Sequence, residues 1–119
     1  MAIEARPSIE KAGTLTSLVA AATALTIHTL TGGRTARLKK LHVFNGQAGS
    51  VLLEIGTGTA PFVRALPRIF LVAGMELELD EDQLAGVEFT ASITAQADAA
   101  AAAPADVQLL PTVIEFPGP

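Results

Sequence analysis

"RTARLKKLHVFNGQAGSVLLEIG", residues 34–56, decides the fold of this chain, because two runs of alternating apolar residues flank a pair of turn signals. The second run places Val51, Leu53 and Ile55 on one face, which is the period-two pattern of a half-buried strand. The Asn-Gly and Gly-Ser pairs between the two runs are typical of turns. The stretch therefore predicts two strands separated by a turn.

The first run, residues 34–45, contains a break in its alternation. Ala36 and Leu38 share one parity, whereas Leu41 and Val43 share the other. A β-bulge at residues 39–40 would reset the register and keep all four apolar residues on the inward side. Such a bulge is the first of two interpretations that the pattern allows.

In the second interpretation, the later half of this strand is apolar on both sides, with Phe44 facing outward beside His42. That arrangement would expose an apolar strip, which a partner subunit should cover. Under either interpretation, we expect the basic residues of the strand to lie mainly on its outward side.

Turn signals recur about every ten residues along the rest of the chain, as in an all-β sandwich or barrel. Between them, "MELELD" (75–80) alternates apolar and acidic residues. "VEFTASITAQAD" (87–98) alternates throughout and predicts one long strand. Shorter candidates are residues 14–20, 24–30, 68–72 and 107–116.

Two further segments carry specific expectations. Pro111 lies inside the last candidate strand, and a proline there indicates an edge strand or a bulge. The run of small residues at 97–105 is interpreted as a loop, with a short helical turn as the alternative, because so short a segment nucleates a helix poorly.

The chain has 119 residues, which fits a single domain with one core. Residues 1–13 are polar and mixed, and they end at a glycine, so they are interpreted as an N-terminal arm. The fold prediction is an all-β chain: a single antiparallel, jelly-roll-like β-sandwich over residues 14–116, with an extended arm before it and a C-terminal tail at 117–119.

Composition excludes several classes of function. The chain has no cysteine, which removes disulfides, zinc-thiolate sites and thiol catalysis. Its net charge of −4 argues against general affinity for nucleic acid. No segment reaches the roughly 20 apolar residues of a membrane span. Residues 15–30 resemble a signal peptide, but acidic residues precede them, so an intracellular origin is the default expectation.

Charged residues fall into two clusters. The basic cluster is Arg34, Arg37, Lys39 and Lys40. It lacks the interleaved aromatic residues that stack on bases, so a solvent-facing or subunit-facing strand is favoured over a phosphate contact. The acidic cluster lies at residues 76–88 and holds six of the twelve acidic residues. Two such patches suit head-to-tail contact between subunits or docking on a larger assembly.

Candidate chemistry is sparse. The acidic run at 80–83 lacks the spacing of a calcium-binding loop, and His28 and His42 have no evident third metal ligand. "IGTGTAP" (55–61) has two glycines but no dinucleotide-binding motif, so a flexible turn is favoured. There is no nucleophile elbow, phosphate loop or zinc-protease motif. We expect no catalytic residues, no metal and no cofactor.

The order of these segments carries a family resemblance. A glycine turn precedes Arg34-Thr35-Ala36, which leads through Lys40, Leu41, Val43 and Asn45 into "VLLEIG". A later "LVAGMELEL" (71–79) precedes the strand at residue 87. Over about residues 23–97, this pattern resembles small β-sandwich virion proteins of tailed bacteriophages.

The resemblance implies a non-enzymatic decoration (cement) protein that binds and stabilises the outer surface of a phage capsid. It implies a homotrimer, the major capsid protein as partner, no nucleic acid and no membrane, and a virion location after synthesis in the host cytoplasm. A tail, baseplate or head-fibre component is the alternative, followed by a carbohydrate-binding module, although the chain lacks the Trp and Tyr on which sugars stack. The predicted contact residues are Arg34, Arg37, Lys39, Lys40, Phe44, Asp80, Glu81 and Asp82.

Overall fold

The computed structural model describes residues 9–84 and 86–117, and within these ranges every regular element is a β-strand. None of these residues belongs to a helix that could cross a membrane. The strands are β1 (Ile9–Ala12), β2 (Thr16–Leu18), β3 (Leu25–His28), β4 (Arg34–Asn45), β5 (Val51–Thr57), β6 (Val63–Arg64), β7 (Ile69–Leu71), β8 (Glu76–Asp80), β9 (Glu88–Phe89), β10 (Ile93–Ala97) and β11 (Val107–Pro117).

The strands form two antiparallel sheets that pack face to face. Sheet A has the order β1-β11-β4-β8, with β2 also pairing with β11 and β9 with β4. Sheet B has the order β3-β10-β5-β6, with β7 also pairing with β5. The predicted all-β sandwich is therefore confirmed. The two strands of the opening stretch, β4 and β5, belong to different sheets, and both contribute side chains to the core.

The inward faces of both sheets form one hydrophobic core. Its largest fully buried side chains include Leu41 and Leu109 from sheet A and Leu53, Ile55 and Ile93 from sheet B. Burying a side chain of this size contributes roughly 1.5–3 kcal/mol, so the core supplies most of the stabilisation. The residues whose alternation predicted β5 are among those buried here.

The break in the alternation of β4 is a β-bulge, as the first interpretation predicted. Thr112 of β11 pairs with Lys40, but the next residue, Val113, pairs with Leu38. Lys39 is therefore the extra residue. Because the bulge resets the parity, the apolar residues on both sides of it point into the core and are almost completely buried (Ala36, Leu38, Leu41 and Val43).

The single strand predicted over residues 87–98 is wrong. The segment forms β9, which pairs with β4 in sheet A, and then β10, which pairs with β3 and β5 in sheet B. The chain crosses between the sheets at residues 90–92, where Ala91 is exposed although its parity predicted burial. The Ser92 hydroxyl accepts a hydrogen bond from the backbone N–H of Leu30 at 2.9 Å, which fixes the crossing.

Pro111 does not lie on an edge strand, so the edge alternative of that prediction is wrong, whereas a bulge does lie close to it. It belongs to β11, which pairs with β4 on one side and with β1 and β2 on the other, and the bulge of β4 lies one residue pair further on. The Pro111 carbonyl accepts a hydrogen bond from Gly13 at 2.7 Å. Proline is tolerated because its missing N–H faces the connection between β1 and β2. A side chain at Gly13 would lie 2.5 Å from the proline ring.

The two ends of the chain and the loop of small residues were also predicted from the sequence. Residues 9–12 of the predicted arm form β1, and Pro117 ends β11. Residues 1–8 of the arm and 118–119 of the tail lie outside the described residues. The segment 98–106 is a loop with turns, as predicted.

Candidate functional site

The basic and acidic clusters adjoin each other in sheet A, because β4 pairs with both β8 and β9. Lys40 lies directly opposite Asp80. Arg37 Nε lies 3.1 Å from Glu81 Oε2, and its guanidinium carbon lies 5.7 Å from the centre of the Phe116 ring. The two patches therefore neutralise each other in part within one chain.

Other predicted contact residues are placed separately. Lys39 Nζ donates a hydrogen bond to Glu10 Oε1 at 2.6 Å. This bond lowers the pKa of the Glu10 carboxyl and raises the pKa of the Lys39 ammonium group. Phe44 is half-buried and Asp82 is exposed. A contact role for the eight predicted residues stays a prediction.

Arg34 takes part in a buried ion network centred on Glu115, which is fully buried. One Glu115 oxygen, Oε1, lies 3.1 Å from Lys11 Nζ and 3.4 Å from Arg34 Nε. The other, Oε2, lies 2.6 Å from His28 Nε2. Lys11 also donates a hydrogen bond to the Thr31 hydroxyl at 3.1 Å. The network therefore links β1, β4 and β11 of sheet A to β3 of sheet B.

The partners of Glu115 keep it ionised. Burial acts to raise the pKa of its carboxyl, but hydrogen bonds from His28, Lys11 and Thr31 act against burial, and the net result is a pKa lowered to about 2. Because an ionised carboxylate can only accept hydrogen bonds, the proton of the short contact lies on His28 Nε2.

Sequence reasoning missed this network, although one signal pointed to it. Glu115 shares the parity of Leu109 and Val113, which face the core. A carboxylate at an apolar position of a strand needs a buried partner. Its partner His28 is 87 residues away along the chain, so the sequence alone could not identify it.

A groove of about 440 Å³ lies beside the network. It is lined by residues 11–14, Thr16 and residues 26–29, which come from the β1–β2 segment of sheet A and from β3, an edge strand of sheet B. Lys11 and His28 therefore belong both to the ion network and to the lining. The groove is consequently a gap between two sheet edges, with Lys11 and His28 in its lining.

The outer face of sheet B exposes an apolar cluster formed by Leu52, Phe70 and Val72, which we call the B-face cluster. Leu52 of β5 and Phe70 of β7 are directly opposite each other in the sheet. The exposed fractions are 37% for Leu52, 58% for Phe70 and 44% for Val72. Three adjacent apolar side chains are thus in contact with solvent on one face.

An ion cluster borders the B-face cluster. Glu54 Oε2 accepts a hydrogen bond from Arg68 Nε at 3.0 Å and lies 3.8 Å from Arg64 Nη1, while Oε1 accepts one from Gln96 Nε2 at 2.9 Å. The hydrogen bonds from Gln96 and Arg68 lower the pKa of Glu54. On the outer face of sheet B, this cluster therefore links β5 to its neighbours β10 and β6 and to the residue before β7.

The two histidines do not meet. His28 contacts Glu115, whereas His42 Nε2 lies 2.9 Å from Glu76 Oε1 on the outer face of sheet A. Within residues 9–84 and 86–117, no group of three or more potential ligand side chains could hold a metal ion. A carboxylate bonded to a histidine, as Glu115 is to His28, also occurs in catalytic triads, where it orients the histidine as a general base. Here Lys11 and Arg34 contact the same carboxylate and offset its charge.

No family model matches this chain. No curated protein matches it either. A solved structure described as "Bacillus endospore appendages form a novel family of disulfide-linked pili" is similar over 100% of this chain and 96% of that chain, with 15% sequence identity and a TM-score of 0.49. A similarity of this degree says nothing about the role of individual residues.

Proposed function

We propose that this chain is a non-enzymatic structural subunit that docks on a larger protein assembly through the outer face of sheet B. The setting that the sequence resemblance favours is the outer surface of a phage capsid, with the major capsid protein as the partner and a small oligomer, such as a homotrimer, as the bound form. In that setting the chain would act as a decoration protein.

The B-face cluster is the observation that carries this proposal. Leu52 and Phe70 are opposite each other on the outer face of sheet B, Val72 follows two residues after Phe70, and all three are more than one-third exposed. Exposed apolar groups rimmed by polar residues are typical of protein interaction sites. Aromatic side chains near the centre of such a surface contribute a large share of the binding energy.

The surroundings of the cluster have the composition of an interface rim. The side chains of Arg64 and Arg68 are 42% and 56% exposed, and both contact Glu54. Asp98 also borders the cluster, because its Oδ1 accepts a hydrogen bond from the backbone N–H of Leu52 at 2.8 Å. The border therefore presents charges of both signs, which would favour a partner surface with complementary polar groups. By contrast, the predicted contact residue Arg37 has its charge partner within its own chain.

The test compares two serine variants. Phe70→Ser removes the centre of the B-face cluster, and Leu110→Ser removes an apolar side chain, 41% exposed, from the outer face of sheet A. Each is mixed with empty capsids assembled from the major capsid protein encoded in the same genome, and the bound fraction is measured by co-sedimentation. Sedimentation velocity of the free chain gives its oligomeric state.

We expect Phe70→Ser to weaken capsid binding by about tenfold or more, and Leu110→Ser to bind as the wild type does. Equal binding by both variants would contradict docking through sheet B. Failure of the wild-type chain to bind at low ionic strength would overturn the capsid assignment.

A further inference from the structure

We propose that the groove between the β1–β2 segment and β3 is a binding site for a small hydroxylated carboxylic acid, such as a sugar acid. The proposal is independent of docking through the B-face cluster, which lies on a different face of the molecule.

The first argument is charge. Lys11 and Arg34 both contact one carboxylate, Glu115, so the network carries one more positive charge than negative even when His28 is neutral. The residues that line the groove include no Asp or Glu. The side chain of Lys11 is 38% exposed and can reach a ligand as well as Glu115. An anionic group in the groove would therefore balance the excess charge.

The second argument is an unused hydrogen-bonding atom. The side chain of His28 is only 8% exposed, yet it lines the groove. Its Nε2 is committed to Glu115, and its other ring nitrogen, Nδ1, has no hydrogen-bond partner among the described residues. When the ring is neutral, Nδ1 accepts a hydrogen bond, and a ligand hydroxyl is a group that can donate it.

The remaining lining residues suit the same ligand. Thr14, Thr16, Thr26 and Thr29 contribute hydroxyl groups, which both donate and accept hydrogen bonds. The volume of about 440 Å³ falls within the roughly 300–1,000 Å³ typical of small-molecule sites. The lining contains no aromatic residue, so the ligand would be recognised by charge and hydrogen bonds rather than by stacking.

The experiment is a titration of the full chain followed by amide chemical shifts in NMR, with glucuronate as the probe. Glucose tests the hydroxyl groups without the charge, and acetate tests the charge without the hydroxyl groups. Methyl glucuronide represents a sugar acid linked in a polysaccharide. We expect glucuronate to shift amides within residues 11–16 and 26–29 at concentrations up to tens of millimolar, and glucose and acetate to shift them less.

A charge variant tests the location without disturbing the ion network. Thr26→Glu places a carboxylate at an exposed position of the groove, and we expect it to weaken glucuronate binding by about three- to tenfold. Thr59→Glu, at an exposed position in the β5–β6 connection, makes the same change in net charge away from the groove and should leave binding unchanged.

Three outcomes would overturn the proposal: no shift of groove amides by glucuronate, equal shifts by acetate, or equal weakening by Thr26→Glu and Thr59→Glu. If methyl glucuronide shifts the same amides as glucuronate, the site accepts a sugar acid within a polysaccharide. If only free glucuronate does so, the site is restricted to free sugar acids. Either of these last two results supports the proposed chemistry.

Discussion

Glu115 and Glu54 are both carboxylates held by two cations, but one lies inside the sandwich and the other outside it. Glu115 is fully buried and contacts Lys11, Arg34 and His28 across the two sheets. The side chain of Glu54 is 21% exposed and lies on the outer face of one sheet. Water screens the outer ion cluster more than the inner network, in which Glu115 and His28 are buried while Lys11 and Arg34 are partly exposed. The same chemistry therefore has different energetic consequences at the two places.

The largest expected effect comes from neutralising the inner carboxylate. Glu115→Gln keeps the shape of the side chain but leaves Lys11 and Arg34 without their buried countercharge. We expect the free energy of unfolding at neutral pH to fall by about 3 kcal/mol, the lower end of the range for breaking a buried ion pair, because Lys11 and Arg34 are partly exposed and keep some hydration. Urea denaturation measures this change. A loss as small as that of an exposed ion pair would remove the distinction between the two carboxylates.

The stability that Glu115 contributes should also depend on pH. The folded-state pKa of Glu115 is about 2, below its ordinary value of 4.5. Its contribution to stability is therefore fully present above pH 4.5 and is lost as the pH falls towards 2. The difference between the two pKa values corresponds to about 3 kcal/mol.

Urea denaturation across this pH range measures the loss. The wild type should lose more stability between pH 4.5 and 2 than Glu115→Gln, which has no carboxyl to titrate at this position. Parallel curves for the two proteins would show that Glu115 is not held ionised by its partners.

The smallest effect is expected at the outer cluster. Glu54→Gln removes the same charge as the variant of Glu115, but Arg64 and Arg68 remain hydrated. We expect a loss of about 0–1 kcal/mol in the free energy of unfolding. Added salt should reduce this difference further, because exposed charges are screened within about 10 Å at 0.1 M salt. A loss equal to that of Glu115→Gln, or one insensitive to salt, would contradict the comparison.

The sequence predicted features that depend on neighbouring residues better than features that depend on contacts between distant strands. Alternation is local, so β4, β5 and β8 could be recognised, and the change of parity located the bulge to within one residue of Lys39. Alternation does not say which sheet a strand joins. For that reason the crossing between β9 and β10 was invisible in a segment whose pattern continues unbroken.

The candidate sites were less predictable than the fold. The B-face cluster depends on Leu52 and Phe70 becoming neighbours through strand pairing, and the ion network depends on contacts between distant strands. Several charged residues that stood out in the sequence, by contrast, have ion-pair partners within the chain: Arg37 contacts Glu81, Lys39 contacts Glu10 and Arg34 contacts Glu115. Conspicuous charge in the sequence therefore marked internal pairing more than a free surface.

The bulge at Lys39 divides β4 into two halves: even-numbered residues face the core before it, and odd-numbered residues face the core after it. On the side away from β11, residues 40–44 pair with β8, while residues 36–37 pair with β9, so each half of the strand has its own neighbour. Deletion of Lys39 would remove the bulge, so that β4 would alternate regularly and Ala36, Leu38, Leu41 and Val43 would all still face the core. Deletion of a residue within either half would move the side chains of the rest of that half to the opposite face of the sheet. The junction is therefore the point where this strand can change length without exchanging its inner face for its outer one.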